Sequence, residues 1–96
     1  MARRVSWSKE AESDLEYIAQ YIARDSHAYA SAVVRRVVTS TRKLARFPRI
    51  GRVVPEVSDD NCRELLVDSY RVIYVLAADQ VTVITIVHMK QSLDLG

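Results

Sequence analysis

Few side chains in this 96-residue sequence are of the types that carry out chemistry, and they lie far apart along the chain. There are two histidines, His27 and His88, and one cysteine, Cys62, with no His-x-x-x-His or similar spacing, so we predict no metal site. His27 falls between two predicted helices and is expected to face solvent. His88 ends an apolar run, where it could act as a general base or as a hydrogen-bonded structural residue. The two glycines, Gly51 and Gly96, cannot form a glycine-rich phosphate loop, and we predict no cofactor.

Basic side chains are concentrated in one stretch of the chain. The sequence has 14 Lys and Arg against 12 Asp and Glu, a net charge of +2. Half of the basic residues lie within residues 35–52, which contain no acid: Arg35, Arg36, Arg42, Lys43, Arg46, Arg49 and Arg52. Such a block is explained either by solvation or by an anionic partner. Four of its members are expected to form a positive patch around the end of a predicted helix: Arg42, Arg46, Arg49 and Arg52.

The composition is that of one small globular domain, residues 1–96. Hydrophobic residues make up 49% and charged residues 27%, with only 2 Gly and 2 Pro, which excludes disordered, collagen-like and low-complexity chains. The longest apolar runs are strand-sized, and no apolar segment follows the charged N-terminus. The single cysteine excludes an internal disulfide. We therefore expect a soluble, cytoplasmic protein without a membrane partner.

Hydrophobic periodicity predicts a strand followed by a helical hairpin. Residues 4–7 alternate like a short strand, and Ser8 can cap a helix that ends near residue 24. Residues 28–45 have the 3.6-residue period of a second helix. The first helix begins with four acids, which suit the positive end of a helix dipole. They are Glu10, Glu12, Asp14 and Glu16.

The second half of the chain has the pattern of a β-meander. Pro48 ends the second helix, and residues 46–61 are predicted to be an ordered loop. Three strands follow, joined by turns short enough for hairpins: residues 62–67, 70–77 and 81–88. The last two strands are almost wholly apolar, so both of their faces should be covered. The helical hairpin can cover one face, and the sequence shows no evident cover for the other.

Between Val5 and Lys90, the predicted elements follow the order β-α-α-β-β-β, and a set of specific residues occurs along them in a fixed sequence. They are Trp7-Ser8, Ala11, Asp14-Leu15, Ile18, Tyr21-Ile22, Phe47-Pro48, Gly51-Arg52, Arg63-Glu64-Leu65, Tyr70-Arg71-Val72-Ile73-Tyr74 and Val87-His88. This set resembles the ParE/RelE superfamily of bacterial toxins from type II toxin–antitoxin pairs. The resemblance implies an α+β fold in which a helical hairpin packs on a small, twisted, mainly antiparallel sheet.

The superfamily divides by function, because RelE-like members cut messenger RNA in the ribosomal A site and ParE-like members inhibit DNA gyrase. RNA cleavage needs a base, cations and an acid, which RelE-like nucleases supply from middle strands and a basic, aromatic tail. Here Arg71 matches the central strand arginine, and Lys90 falls near a C-terminal arginine. The preceding strand has Cys62, Arg63 and Glu64 where paired lysines would stand.

The C-terminal tail also departs from the RelE-like pattern, since residues 91–96 contain no Tyr, His or Arg. These departures favour a ParE-like toxin: a non-enzymatic inhibitor that binds DNA gyrase and is neutralised by a ParD-like antitoxin. The alternative is a RelE-like ribosome-dependent endoribonuclease, with catalytic residues Arg71, His88, Lys90 and Arg63. A third possibility is a degenerate member that retains only antitoxin binding.

The resemblance also implies a tight hetero-oligomer with the antitoxin, through which alone operator DNA is bound. The antitoxin-binding residues are predicted to be Arg42, Arg46, Arg49, Arg52 and Arg71. The target-binding residues are predicted to be His88, Lys90, Leu93 and Leu95. Arg71 could instead pair with Glu64 in a structural salt bridge. Trp7 and Tyr74 are expected in the core, with Tyr17 and Tyr21 beside the apolar stripe of the first helix.

Overall fold

The computed structural model of the chain describes residues 3–93. Within that range the chain forms five strands, two α-helices and one 3-10 turn. In order these are β1 (Arg4–Trp7), α1 (Lys9–Ala23), α2 (His27–Arg42), the 3-10 turn (Lys43–Ala45), β2 (Arg52–Val53), β3 (Cys62–Val67), β4 (Tyr70–Leu76) and β5 (Gln80–His88). The strands form one sheet in the order β1-β5-β4-β3-β2, with β1 parallel to β5 and the other pairs antiparallel. The predicted α+β fold is confirmed.

Both helices begin at a serine cap and turn an apolar side toward the sheet. The Ser8 hydroxyl accepts a hydrogen bond from the N–H of Ala11 at 3.0 Å, and the Ser26 hydroxyl accepts one from Tyr29 at 3.0 Å. The α-helical part of α2 ends at Arg42 rather than at the predicted residue 45. The remaining residues tighten into the 3-10 turn, as is common at the ends of helices. No helix in the described part of the chain is long and apolar enough to cross a membrane.

The loop predicted over residues 46–61 contains a short strand that the sequence did not reveal. In β2, Arg52 lies opposite Glu64 of β3. Two residues are too few to show the alternation by which strands are recognised. Just before β2, Gly51 passes so close to β3 that an added Cβ would lie 2.5 Å from the carbonyl oxygen of Glu64. Only glycine fits at this position without displacing the backbone.

The main core lies between the helical hairpin and one face of the sheet. Val33 and Val37 of α2 pack there with Tyr74 and Val83 of the strands, each of them 1% exposed or less. Tyr74 is therefore a core residue, as predicted, and burial raises the pKa of its phenol. Trp7 is half-buried against the same core. The helices thus cover one face of the strands that were predicted to be apolar on both faces.

Part of the opposite face of the sheet is covered by the chain itself, although the sequence showed no evident cover for it. Val54, Cys62 and Ile73 are buried there, and the partly buried Val57 and Leu93 pack against them. The cover comes from the loop after β2 and from the segment after β5. Isolated apolar residues in such segments carry no periodic signal, so the sequence analysis missed them.

Candidate functional site

Arg71 of β4 lies in an ion-pair cluster on the sheet face opposite the helices. Its Nε donates to Glu64 Oε1 at 2.8 Å, and its Nη1 and Nη2 donate to the two Glu56 oxygens at 2.8 and 2.7 Å. The Nε of Arg52 donates to the other oxygen of Glu64. Arg71 is 5% exposed and Glu64 1%. We call Arg52, Glu56, Glu64 and Arg71 the Arg71 cluster; its two arginines balance its two carboxylates, and the structural pairing of Arg71 with Glu64 is confirmed.

The Arg71 cluster also fastens the segment after β5 onto the sheet. Nη1 of Arg71 donates to the Gln91 carbonyl at 3.2 Å, and the N–H of Leu93 donates to Glu56 at 3.0 Å. These contacts lower the pKa of Glu56 from 4.5 to about 2, with Arg71 the largest cause and the Leu93 N–H the next. The hydrogen bonds that Arg71 donates to Glu56 raise the pKa of Arg71, against the opposing effect of burial. The loop after β2, the strands β2, β3 and β4, and the segment after β5 therefore meet at one cluster.

Acidification should release this C-terminal segment. Because the pKa of Glu56 is lower in the folded protein, its contribution to stability is complete above about pH 4.5 and is lost as pH falls toward about 2. We expect the hydrogen-exchange protection factor of the Leu93 amide to fall across that range. The Glu56→Gln variant should show weak protection at every pH. A wild-type protection factor that stays constant down to about pH 2 would contradict this assignment.

The residues of the nuclease alternative are divided between the two faces of the sheet. They are Arg63, Arg71, His88 and Lys90. Cross-strand partners share a face, and Arg63 lies opposite the core residue Tyr74, whereas Arg71 projects to the other side. Nη1 of Arg63 donates to the Gly51 carbonyl at 2.9 Å, so this side chain supports the loop before β2. The two strand arginines therefore do not face a common site.

His88 is held at the end of β5 by contacts within the chain. Its Nδ1 accepts a hydrogen bond from the N–H of Lys90 at 3.1 Å, and its ring meets that of Tyr70 edge-on with centroids 5.6 Å apart. Only Nε2 is left for an outside partner. Lys90 is exposed, whereas Leu93 packs against the second core. The other predicted target contact, Leu95, lies outside the described residues.

Two apolar side chains project into solvent from the loop that follows α2. Phe47 and Ile50 are each 59% exposed, and they line an open groove together with Arg3 and Arg46. The turn between them is fixed, because the N–H of Ile50 donates to the Phe47 carbonyl at 3.1 Å. We call Arg3, Arg46, Phe47 and Ile50 the Phe47 patch. The sequence analysis named Phe47 only within the set of residues that carries the family resemblance. The available signal for a surface was the position of Phe47 between Arg46 and Arg49.

The four arginines predicted to form a positive patch have different environments. Arg49 pairs with Asp60 at 2.9 Å, and Arg52 belongs to the Arg71 cluster. Arg42 and Arg46 form no ion pair within residues 3–93. The charge available to an anionic partner at this end of the molecule therefore comes from Arg42 and Arg46 more than from the other two.

The only thiol is a core group. Cys62 is 6% exposed, and burial raises the pKa of its thiol, with smaller contributions from Asp59 and Glu64. A thiol held in its neutral form is a weak nucleophile, because the thiolate is the reactive species. Among residues 3–93, no three His, Cys, Asp or Glu side chains are grouped closely enough to hold a metal ion.

Comparisons with known proteins agree with this architecture. The sequence profile of a family described as "ParE toxin of type II toxin-antitoxin system, parDE" matches residues 5–93. No curated protein sequence gives a significant match. Among solved structures, the chain is similar to a chromosomal ParDE toxin–antitoxin system from P. aeruginosa, with a TM-score of 0.75 and 16% identity over 93% of this chain and 98% of that chain. It is also similar to the toxin–antitoxin complex RelBE2 from Mycobacterium tuberculosis, with a TM-score of 0.61 and 18% identity over 92% of each chain. At these identities the structural likeness shows a shared fold.

Proposed function

The chain belongs to the family of ParE toxins of type II toxin–antitoxin systems, and we propose that it inhibits DNA gyrase by binding and is neutralised by a ParD-like antitoxin. Family membership supports the ParE-like branch, and the solved complexes of the same fold support an antitoxin partner. The observation that weighs most against the nuclease alternative is the Arg71 cluster.

RNA cleavage by attack of a 2′-hydroxyl group requires cations that are free to stabilise the negatively charged phosphorane. The guanidinium of Arg71 already makes hydrogen bonds to two carboxylates and one carbonyl. Glu56 and Glu64 would repel a phosphate brought beside it. The loop after β2 and Leu93 also cover this face of the sheet. The cluster therefore supports a structural role for Arg71 and a toxin that acts by binding.

Two assays on the same purified toxin test this proposal. In the first, toxin is added to DNA gyrase with relaxed plasmid, and we expect loss of supercoiling or accumulation of cleaved DNA, which added antitoxin reverses. In the second, toxin is added to ribosomes that carry a messenger RNA, and we expect the message to stay intact. Cleaved message with normal supercoiling would establish the endoribonuclease alternative. A toxin that binds antitoxin but is inactive in both assays would be the degenerate member.

We further propose that the antitoxin binds at the Phe47 patch through a segment with acidic and apolar side chains. Phe47 and Ile50 offer apolar area that the chain leaves in water, and Arg46, which forms no ion pair within residues 3–93, adds a positive charge beside them. Phenylalanine and arginine are both enriched at protein interfaces relative to the rest of the protein surface. Operator DNA would then be bound through the antitoxin, in a tight hetero-oligomer.

Single replacements of His88 or Lys90 by alanine should change gyrase inhibition only modestly. If the toxin acts by binding, each loss removes one contact, and we expect the half-inhibitory concentration to rise by about tenfold or less. Loss of a general base from a nuclease would lower its rate by about 10²–10⁴-fold. Titrating each variant in the supercoiling assay distinguishes the two cases. A His88→Ala variant that abolishes killing while keeping gyrase binding would contradict the proposal.

A further inference from the structure

The structure gathers tyrosine on one side of the molecule. Of the 5 tyrosines in the sequence, Tyr74 is in the core, while Tyr17, Tyr21 and Tyr29 are 70%, 58% and 49% exposed. Burial raises the pKa of Tyr70, the remaining one, and the neighbouring Tyr29 and Tyr21 phenols and Asp68 add to the rise. Tyr17 and Tyr21 were predicted to lie beside the apolar stripe of the first helix, and the structure places both rings largely in solvent.

A groove joins these rings to the end of the sheet. It runs between α1 and β5 and is lined by Glu10, Asp14, Tyr17, Tyr21, Tyr70 and His88. The first four of these follow one another at spacings of three and four residues, which places them on one side of α1. We call these six residues the tyrosine groove. Its rings are carried by a helix and two strands, so the surface is preorganised.

The groove is negatively charged at the end nearest the start of α1. Asp14 accepts hydrogen bonds from the Thr85 hydroxyl at 2.7 Å and from the N–H of Ile86 at 3.1 Å, which hold α1 against β5. Glu10 is exposed. Neither carboxylate forms an ion pair within residues 3–93. Two unpaired carboxylates beside tyrosine rings therefore favour a cationic partner.

Tyrosine rings also attract cations. The guanidinium carbon of Arg24 lies 6.0 Å from the centroid of the Tyr21 ring, so one such contact already occurs within the chain. Tyrosine is enriched at protein interfaces and among the residues that dominate their binding energy. Carboxylates bind arginine through charge-assisted hydrogen bonds. Together these groups suit a protein segment that carries arginine or lysine and apolar side chains.

We propose that the tyrosine groove is the surface that binds DNA gyrase, and that it takes an arginine- or lysine-bearing segment of the enzyme's DNA-binding surface. The inference rests on the proposed function. Surfaces that bind the phosphate backbone are rich in these residues. The Phe47 patch has the opposite charge, so the two surfaces suit two different partners. His88, predicted from the sequence to contact the target, lines the groove.

Two variants test the groove in the supercoiling assay. The double variant Tyr17→Ala/Tyr21→Ala removes two exposed rings and should raise the half-inhibitory concentration by about 30-fold or more, as loss of dominant contacts does. The charge reversal Glu10→Arg should weaken inhibition most at low salt. Glu16→Lys, the same kind of change on another side of α1, is the control and should inhibit like the wild type. Phe47→Ala should weaken antitoxin binding and leave gyrase inhibition unchanged.

The outcomes separate this inference from the proposed function. Weakened inhibition by both groove variants, with antitoxin affinity unchanged, supports the inference and shows that the variants are folded. Groove variants that inhibit gyrase as well as a fully active wild type overturn the inference alone. Loss of antitoxin binding by the groove variants also overturns it, because the groove would then belong to the antitoxin. A wild-type toxin that leaves supercoiling untouched overturns the proposed function and the inference with it.

Discussion

Replacing Arg71 by methionine should lower the free energy of unfolding by about 3 kcal/mol. The change leaves Glu64, 1% exposed, as a buried carboxylate, and it removes both hydrogen bonds to Glu56. Breaking a buried ion pair from one side costs about 3–5 kcal/mol, because the remaining charge is uncompensated. Arg52 still donates to one oxygen of Glu64, so we expect a value near the lower end. Urea unfolding of wild type and variant measures the difference.

Two further variants distinguish the cost of leaving Glu64 as a buried, unpaired charge from the cost of losing the arginine side chain itself. Arg35→Met, an exposed position on α2, is the matched control and should change stability by less than about 0.5 kcal/mol. Adding Glu64→Leu to Arg71→Met removes the orphaned carboxylate and should recover much of the loss. If Arg71→Met unfolds like the wild type but loses its toxicity, the guanidinium is a functional group and the structural role assigned to it is wrong.

The elements of the fold were predictable because their signals are local. The alternation in β1 and the 3.6-residue period in α1 and α2 are contained within short stretches of the sequence, and the serine caps mark where both helices start. The predicted strands over residues 62–67, 70–77 and 81–88 agree with β3, β4 and β5 to within one residue at each end. The pairing of Arg71 with Glu64 could also be anticipated, since the two residues lie on consecutive strands of a hairpin.

The remaining features depend on contacts between segments that have no period of their own. Glu56 reaches Arg71 from an irregular loop, and Leu93 returns after β5 to cover the second face of the sheet. The sequence does not show whether an apolar residue in a loop turns inward or outward: Val54 is fully buried and Phe47 is largely exposed. The positive patch was predicted from charge alone, and the ion pair between Arg49 and Asp60 could not be foreseen.

Phe47→Ala should weaken antitoxin binding by about 30-fold or more. Phe47 is 59% exposed, so its ring makes few contacts that the toxin needs for folding, and its apolar area is free to be buried by a partner. Loss of a dominant aromatic contact typically costs about 2 kcal/mol or more, which corresponds to this ratio of dissociation constants. Isothermal titration of the purified toxin with antitoxin measures the change.

Arg46→Glu should weaken the same complex through charge, and the effect should shrink as salt is added. Arg35→Glu, an exposed charge reversal on α2 away from the Phe47 patch, is the matched control. Arg49→Glu should have a smaller effect than Arg46→Glu, because Arg49 already pairs with Asp60. Equal effects of all three reversals would show that Arg46 contributes only through the net charge of the toxin. Unchanged affinity in both Phe47→Ala and Arg46→Glu would place the antitoxin elsewhere on the toxin.

The same contact should be visible in the stability of the complex. A partner that binds only the folded toxin raises its stability by about 4 kcal/mol at a thousand times the dissociation constant. A 30-fold loss of affinity lowers that increment by about 2 kcal/mol at the same antitoxin concentration. Because Phe47 is 59% exposed and belongs to neither core cluster, the stability of the toxin alone should not change in Phe47→Ala. In thermal unfolding, the curves of wild type and Phe47→Ala should therefore differ when antitoxin is present and superimpose when it is absent. A variant that is less stable than the wild type without antitoxin would show that Phe47 supports the fold.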